Sequence, residues 1–419
     1  MNLNREIELL IANDNHILYG PRQVGKSTLV NKFVPKSQII SMEDQSHKMS
    51  WIQDDYFPIR FLESAIGRSI DSLTKKEKKS LTIGIDEIHK LYDWRRKLKL
   101  LIDNYKDSIR FLVTGSSAFD LISNDGDSLQ GRLFYTKLLP LTTNEVLGIL
   151  LKKSKSSNTQ KRKDHLNIFS ELLSQMTKKT NKEKNLNLLI DNFYDCLLQS
   201  KKSVLKPNWN LTSFPEPYKK KEISWGKRWA QNYLNNAIDK DLKDVSKVPD
   251  TFAVFNLFRL IQESSGSTVS INGFAKTILK SHESVSNMLM ALEKIWIIWK
   301  LESYHKQMSK IIRKDCKYYV VDWIFNQNLE VKTANLLMRR ITYLKQQSGD
   351  NYGLYFYRDY EQREVDFIIT KDEEVVLAIE CKEKEQHIPT ALKYVCNYFN
   401  CPGIVITNQK NDLIKIDSK

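Results

Sequence analysis

Residues 20–28 read GPRQVGKST, and this stretch decides the fold of the N-terminal part of the chain. A glycine, four further residues, and then Gly-Lys-Ser is a spacing that suits phosphate binding, because glycines let backbone N–H groups curl around a phosphate that a Cβ would displace. A lysine in the seventh position of this stretch reaches the phosphate oxygens, and the next hydroxyl ligates Mg²⁺. The stretch predicts a phosphate-binding loop for ATP formed by Gly20, Pro21, Arg22, Gln23, Val24, Gly25, Lys26, Ser27 and Thr28.

The segments around the loop alternate between strand and helix patterns. HILYG precedes the loop and STLVNKFV follows it as a helix with one apolar face. Further short apolar runs are SQIISMED, LTIGIDE, RFLVTGSS and RLFYTKLLPL. Short buried strands separated by helices predict a parallel sheet with helices on both faces, so the predicted fold class is α/β.

The strand LTIGIDE ends in two acids, Asp86 and Glu87, where a phosphate-binding loop requires a second acidic strand. We expect Asp86 to bind Mg²⁺ together with Ser27, and Glu87 to polarise the water that attacks the γ-phosphate. The alternative interpretation is a strand that ends in acids only to meet solvent.

A second acidic pattern lies near the C-terminus, in REVDFIITKDEEVVLAIECK at 363–382. Asp366 lies fourteen positions before Glu380, and one residue separates Glu380 from Lys382, so the last two side chains share a strand face. Two neighbouring carboxylates suit a second Mg²⁺ or Mn²⁺, and Lys382 would orient or help to deprotonate a water bound there. The alternative is that these acids only shape a docking surface.

Residues 251–310 predict a helix, TFAVFNLFRLI, then a helix-turn-helix at 270–294 and the strands of a wing. Val285, Leu289, Leu292 and Trp296 recur at helical spacing and are expected in the core. We therefore predict a winged-helix spacer that touches phosphates, and not a sequence-reading module.

The chain has 65 Lys and Arg against 50 Asp and Glu, a net charge of +15. Such a surplus favours nucleic acid as partner, chiefly DNA, and the alternative is a set of solvated lysines. Residues 151–190 hold ten of the basic residues against three acids. Five scattered cysteines without a CxxC pair indicate neither zinc nor disulfides. With no signal peptide and no membrane span in the pattern, we expect a cytoplasmic protein without a membrane partner.

With these motifs the chain resembles a family of bacterial and archaeal P-loop ATPases of the AAA+ superfamily that carry a C-terminal restriction-endonuclease-like domain. The resemblance continues through TGSSAFDL, GRLFYTKLLPLT, SFPEPY, WAQNYLNNAIDKDL and YYVVDWIFN, in that order. It departs from the family at His89, where a glutamine is usual, and at the basic segment, which looks like an insertion.

The resemblance implies four domains and three further site residues. The domains are an AAA+ core at 1–140, a helical lid at 141–250, a winged-helix-like domain at 251–312 and a PD-(D/E)XK nuclease-like domain at 313–419. Thr114 would sense the γ-phosphate, and Arg132 would be an arginine finger offered to a neighbouring subunit of a homo-oligomer, with an ordinary surface arginine as the alternative. Glu330 would complete the metal shell of Asp366 and Glu380 in the nuclease-like domain.

The function predicted first is an ATP-hydrolysing switch or motor coupled to a nuclease-like domain that acts on DNA. Two alternatives remain open. One is an ATP-gated nucleic-acid-binding or scaffold protein without nuclease activity. The other is a signal-transducing ATPase of a defence or toxin system whose partner is another protein.

Overall fold

The computed structural model describes residues 5–115, 129–142, 145–146, 211–242, 250–304, 316–384, 387–407 and 414–416. The basic segment 151–190 lies outside these residues. The chain divides into two compact units. We call Ile7–Pro140 with Lys294–Trp296 the N-terminal unit, and Met1–Glu6, Leu141–Glu293 and Ile297–Lys419 the C-terminal unit. Within the described part of the chain, no helix combines the length and the apolar character needed to cross a membrane.

The N-terminal unit is built on a five-stranded parallel sheet. Its strands are β1 (His16–Tyr19), β2 (Ile39–Ser41), β3 (Thr82–Asp86), β4 (Arg110–Thr114) and β5 (Phe134–Lys137). They lie in the order β2-β3-β4-β1-β5, and each neighbouring pair runs parallel. The predicted parallel α/β fold is therefore confirmed, although β5 is shorter than the apolar run at 132–141 suggests.

Five helices accompany this sheet, and their ends follow from local sequence. They are α1 (Lys26–Phe33), α2 (Gln45–Gln53), α3 (Phe57–Ile66), α4 (Lys75–Ser80) and α5 (Trp94–Tyr105). Helix α4 begins with a capping box in which Thr74 and Glu77 exchange hydrogen bonds, and α3 ends at the left-handed Gly67. Apolar side chains of α2, α3 and α5 pack with β1–β4 in one buried core.

Close packing at Gly84 sets the distance between α1 and β3. A Cβ at this position would lie 2.9 Å from Cγ1 of Val30 on α1 and 3.0 Å from Cγ1 of Ile39 on β2. Because glycine leaves this space open, the helix that begins at Lys26 rests directly on the strand that ends at Asp86. The fold thereby brings the start of α1 to the acidic end of β3.

The C-terminal unit contains a second five-stranded sheet and a separate two-stranded sheet. The strands are β6 (Ile298–Glu302), β7 (Cys316–Val320), β8 (Tyr352–Arg358), β9 (Glu364–Lys371), β10 (Glu374–Lys382), β11 (Gly403–Thr407) and β12 (Ile414–Ile416). The larger sheet has the order β12-β11-β10-β9-β8, in which β10 and β11 are parallel and the other pairs antiparallel. Strands β6 and β7 pair as an antiparallel ladder, and Lys317 of β7 also forms an isolated antiparallel bridge with Thr268.

The described helices of this unit flank and precede these sheets. They are α6 (Pro215–Lys220), α7 (Ile223–Asn236) continued by a π-helical turn at Ala237–Asp241, α8 (Thr251–Glu263), α9 (Ile271–Thr277), α10 (His282–Lys294), α11 (Leu329–Ser348) and α12 (Thr390–Phe399). Helices α9 and α10 and strand β6 occupy the segment predicted as a winged helix, whereas β7, which pairs with β6, lies in the segment predicted as nuclease-like. Val285, Leu289 and Leu292 are buried there, as their spacing indicates.

The β9–β10 hairpin fixes the register of the C-terminal acids. Its two-residue loop, Asp372 and Glu373, has both φ angles positive, at 50° and 69°. Such turns match the twist of the flanking strands. The ladder pairs Phe367 with Ile379, which places Asp366 opposite Glu380. Residues opposite each other in an antiparallel pair point to the same face, so the hairpin brings these two acids together.

Candidate functional site

The phosphate-binding loop joins the end of β1 to the start of α1. Gly20 has φ of 142°, and a Cβ there would lie 2.1 Å from the carbonyl oxygen of Leu138. Gly25, with φ of 96°, precedes α1, whose first residue is Lys26. Both glycines adopt backbone conformations that other residues rarely reach, as the sequence spacing requires. The loop therefore ends with the N-terminus of a helix, a common site for phosphate groups.

Lys26 is buried inside this loop. Its Nζ donates hydrogen bonds to the carbonyl oxygens of Gly20 at 3.0 Å and Pro21 at 2.8 Å. The side chain is 5% exposed, so the ammonium is held by the loop that it would serve. The exposed residues of the predicted loop are Gln23 and Thr28, while Pro21 and Val24 are buried and Arg22 is half-buried.

Four residues from the start of α1 and the ends of two strands form one hydrogen-bonded network. The Ser27 hydroxyl donates to Oδ1 of Asp86 at 2.9 Å, and the Thr114 hydroxyl donates to the same oxygen at 2.5 Å. The backbone N–H of Glu87 donates to the Thr114 hydroxyl at 3.0 Å. Asp86 and Thr114 end the neighbouring strands β3 and β4, so their closeness follows from the parallel sheet. The structure thus brings together the residues that the sequence assigns to Mg²⁺, to the attacking water and to the γ-phosphate.

Glu87 itself has a strained backbone and a partly buried side chain. Its φ is 56°, in the left-handed region, which is uncommon for a residue with a Cβ. Burial raises the pKa of Glu87, against the lowering effect of the Lys26 charge and with a further raising effect of Asp86. Nε2 of His89 lies 3.5 Å from Oε2 of Glu87, so the residue that departs from the family pattern lies beside this acid.

Arg132 lies at the end of the same sheet that is opposite to the phosphate-binding loop. It precedes β5, which runs parallel to β1 with Lys137 opposite Tyr19, the last residue before the loop. Arg132 lies two residues before the start of β5, and Lys137 is the last residue of this strand, so Arg132 is at the opposite end of the strand from the loop. Its guanidinium forms two hydrogen bonds to the carboxylate of Asp103 on α5. Arg132 is therefore not part of the network of its own chain, and its role as a finger toward another subunit stays a prediction.

The acids predicted for the C-terminal domain also lie together. The backbone N–H of Asp366 donates to Oε2 of Glu380 at 3.4 Å, and Nζ of Lys382 lies 2.7 Å from Oε1 of Glu380. Glu330 is in the first turn of α11, where the Asn328 side chain accepts a hydrogen bond from its N–H at 2.8 Å. We call Glu330, Glu364, Asp366 and Glu380 the acid cluster.

Lys317, which no sequence pattern singled out, also lies among these acids. Its Nζ is 2.8 Å from Glu364, 3.2 Å from Glu330 and 3.4 Å from Asp366, and the side chain is 1% exposed. Burial alone would lower the pKa of Lys317, but the three carboxylates outweigh it and raise the pKa above its usual value. The side chain is therefore a buried ammonium ion at neutral pH.

Burial has the opposite effect on the pKa of two members of the acid cluster from its effect on the pKa of Lys317. It raises the pKa of Glu330 and of Glu380, and the negative charge of Asp366 adds to both shifts. Lys317 opposes the shift at Glu330, and Lys382 opposes the shift at Glu380. Across the described ranges, no three His, Cys, Asp or Glu side chains are arranged so as to hold a metal ion. The second metal site stays a prediction.

Three separate parts of the chain match known protein families. Residues 13–147 match the family described as "AAA domain". Residues 206–329 and 335–418 match two families described as domains of unknown function, DUF8612 and DUF4143.

Two curated relatives come from Methanocaldococcus jannaschii, the uncharacterized proteins MJ1544 and MJ1637. Each is 24% identical to this chain, over 384 and 326 residues respectively. The matches cover 88% and 75% of this chain, and 75% and 63% of the relatives. The chain thus spans less than two thirds of the second relative.

Solved structures cover most of this chain only with loose superposition, as two examples show. The Orc1 protein of Aeropyrum pernix in complex with DNA is 9% identical, with a TM-score of 0.28, covering 79% of this chain and 88% of that chain. The STAND protein PH0952 of Pyrococcus horikoshii, which has a tetratricopeptide repeat sensor, is 15% identical, with a TM-score of 0.24, covering 82% and 47%. These likenesses are too distant to carry an argument about this chain. The AAA family match and the geometry of the loop agree, so this protein contains an AAA-type P-loop ATPase domain at residues 13–147.

Proposed function

We propose that this protein is an Mg²⁺-dependent, ATP-hydrolysing switch that acts on DNA through a C-terminal nuclease-like domain. The observation that supports it most directly is the network in which Ser27 and Thr114 donate to one oxygen of Asp86 while Thr114 accepts from Glu87. This network joins the start of α1 to the ends of two strands, where the loop residues converge. Loss of the γ-phosphate on hydrolysis would therefore alter contacts of α1, β3 and β4 together.

The donor set suits Mg²⁺ with a triphosphate. A serine hydroxyl and an aspartate carboxylate, 2.9 Å apart, supply the hard oxygen ligands that this ion prefers, and it keeps several waters besides. Mg²⁺ bound there would neutralise part of the phosphate charge. Lys26 would turn its ammonium from the loop carbonyls to phosphate oxygens. Glu87 would accept a proton from the attacking water, and its raised pKa makes its carboxylate a stronger base.

Glu87→Gln tests the hydrolytic step. We expect the variant to bind ATP about as well as the parent and to hydrolyse it at least about 10²-fold more slowly, because an amide cannot accept the proton. Phosphate release measures turnover, and a fluorescent ATP analogue measures binding. Glu77→Gln is the control, since this glutamate caps the exposed helix α4 and should leave turnover unchanged. Turnover near the parent rate in Glu87→Gln would remove this residue from the mechanism.

Action on DNA is supported by the net charge of +15. If cationic side chains contact six to ten phosphates, raising the salt concentration from 50 to 200 mM should weaken binding by about 10³-fold or more. Fluorescence anisotropy with labelled duplex and single-stranded DNA measures this, with and without ATP. Asp366→Ala should bind DNA as the parent does, because acids do not supply phosphate contacts. Absence of binding at 50 mM salt would favour the alternative of a protein partner.

Metal-dependent DNA cleavage is a second candidate function. The observation that favours it is the placement of Asp366 opposite Glu380, with Lys382 on the same strand face. Lys317, already bound to Asp366 and Glu330, weighs against it, because a divalent ion would have to share their oxygens with a buried ammonium. On this ground we favour a nuclease-like domain that serves as a binding module.

A further inference from the structure

We infer that the ammonium group of Lys317 is a built-in cation of the acid cluster, and that it takes the place of a divalent metal ion in the C-terminal domain. The inference deepens the proposed role of this domain as a binding module, but it is independent of ATP hydrolysis. It assigns Lys317 a function that its sequence context, the strand CKYYV, does not suggest.

The contacts of Lys317 are those of a cation at the centre of the acid cluster. Its Nζ lies within 3.4 Å of carboxylate oxygens of three acids from two elements: Glu330 on α11, and Glu364 and Asp366 on β9. Three ionised acids that lie this close repel one another unless a positive charge offsets their charges or a proton neutralises one of them. Lys317 supplies this charge from β7, outside the five-stranded sheet.

Lys317 cannot readily move aside for a metal ion. The side chain is 1% exposed, and Nζ lies 5.4 Å from the centre of the Phe356 ring. An ammonium that left the carboxylates would stay buried without its partners, which is costly. A divalent cation that entered beside it would meet a positive charge at short range. Lys317 therefore differs from Lys382, whose side chain is 35% exposed and lies at the rim beside Glu380.

The oxygens that a metal would need are already used as acceptors. Oδ2 of Asp366 accepts from the backbone N–H of Cys381 at 2.8 Å, and Oδ1 faces Lys317. Oε1 of Glu330 accepts from the Tyr319 hydroxyl at 2.7 Å as well as from Lys317. Gly266 packs against the same carboxyl group, since a Cβ there would lie 2.9 Å from Cδ of Glu330. Each acid of the cluster thus already has a cationic or N–H or O–H partner from its own chain.

Removal of the ammonium should convert the cluster into a metal site. In Lys317→Met, a side chain of similar volume leaves three acids without their cation, and hard oxygen ligands in such a group bind Mn²⁺. We expect the variant to unfold at lower temperature in EDTA and to regain several degrees when Mn²⁺ is added, because a ligand that binds only the folded state stabilises it. The parent should show no comparable shift.

The experiment uses the full chain without nucleotide, so that its outcome does not depend on the ATPase. Mn²⁺ binding is followed by electron paramagnetic resonance, and unfolding by circular dichroism. The variants are Lys317→Met, Asp366→Asn and the two combined, with Lys371→Met as control. Lys371 lies on β9 with Nζ 3.3 Å from Asp350, so its loss removes an ammonium of the same sheet away from the cluster.

The expected result is a Mn²⁺ site in Lys317→Met that is at least about tenfold tighter than any in the parent. The site should be lost in the combined variant and absent in Lys371→Met. A Mn²⁺ site in the parent that disappears in Asp366→Asn would overturn the inference. A folded Lys317→Met that gains no site would overturn it too. If Lys317→Met does not fold, the comparison of the parent with Asp366→Asn still decides the question.

Discussion

Replacing Lys26 with alanine should lower ATP turnover by at least about 10²–10³-fold, the usual effect of removing one group that stabilises transition-state charge. The side chain is the buried cation of the loop, with Nζ within 3.0 Å of two loop carbonyl oxygens. Its loss removes the positive charge from the place where the β- and γ-phosphates are expected. We expect ATP binding to weaken as well, because the same ammonium contacts the ground-state phosphates. Phosphate release under saturating ATP measures the effect.

A matched control lies on the same helix. Lys32 is near the end of α1 with Nζ 2.6 Å from Glu8, and Lys32→Ala should keep turnover close to that of the parent. Circular dichroism of both variants separates loss of chemistry from loss of fold. If a folded Lys26→Ala hydrolysed ATP at the parent rate, the loop would not be the site of hydrolysis.

The nucleotide site could be predicted from sequence because its parts are encoded locally. Gly20, Gly25 and Lys26 lie within one short loop, and the acids that face them end an apolar strand. Since all five strands run parallel, residues that follow β1, β3 and β4 meet at one edge of the sheet. The hydrogen bond between Ser27 and Asp86 is therefore a consequence of strand direction, which the apolar pattern already indicates.

Only part of the C-terminal site could be predicted from sequence in this way. Asp366 and Glu380 face each other because a two-residue turn joins their strands, and a count along the chain suffices to pair them. Lys317 comes from a strand that belongs to another sheet, thirteen residues from Glu330 and forty-nine from Asp366. The alternation of β7 gives no sign that its lysine is buried. Such a contact depends on how the elements pack, and no local pattern carries that information.

Local sequence patterns also could not predict the ion pair that is expected to have the largest effect on stability. Arg339 on α11 and Asp322 are both fully buried, with the guanidinium 3.6 Å from Oδ2 of Asp322. Arg339 also donates to the carbonyl oxygens of Leu141 at 3.1 Å and Val321 at 3.0 Å. Asp322 accepts from the backbone N–H of Ser213, at 3.0 Å, and from its hydroxyl. The pair thus ties three distant segments of the C-terminal unit together.

Replacing Arg339 with methionine should destabilise this unit by about 3–5 kcal/mol, the usual effect of removing one partner of a buried pair. Burial lowers the pKa of Arg339 to about 10, even though the charge of Asp322 acts to raise it. The group therefore stays charged at neutral pH, and its methionine replacement leaves Asp322 as a buried charge. Urea unfolding, followed by circular dichroism, measures the shift in midpoint. Arg363→Met, at a part-exposed pair with Asp359, should change stability far less, because surface ion pairs contribute little.

A second substitution separates the lost charge balance from the lost packing. If the uncompensated carboxylate causes most of the effect, Arg339→Met combined with Asp322→Asn should be more stable than the sum of the single variants predicts, by about 1–3 kcal/mol. The amide keeps the shape of the acid and still accepts from Ser213 without a charge. If the effects of the two substitutions on the free energy of unfolding are strictly additive, the loss of stability instead comes from the carbonyl groups of Leu141 and Val321. These groups lose the Arg339 donor whether residue 322 is Asp or Asn.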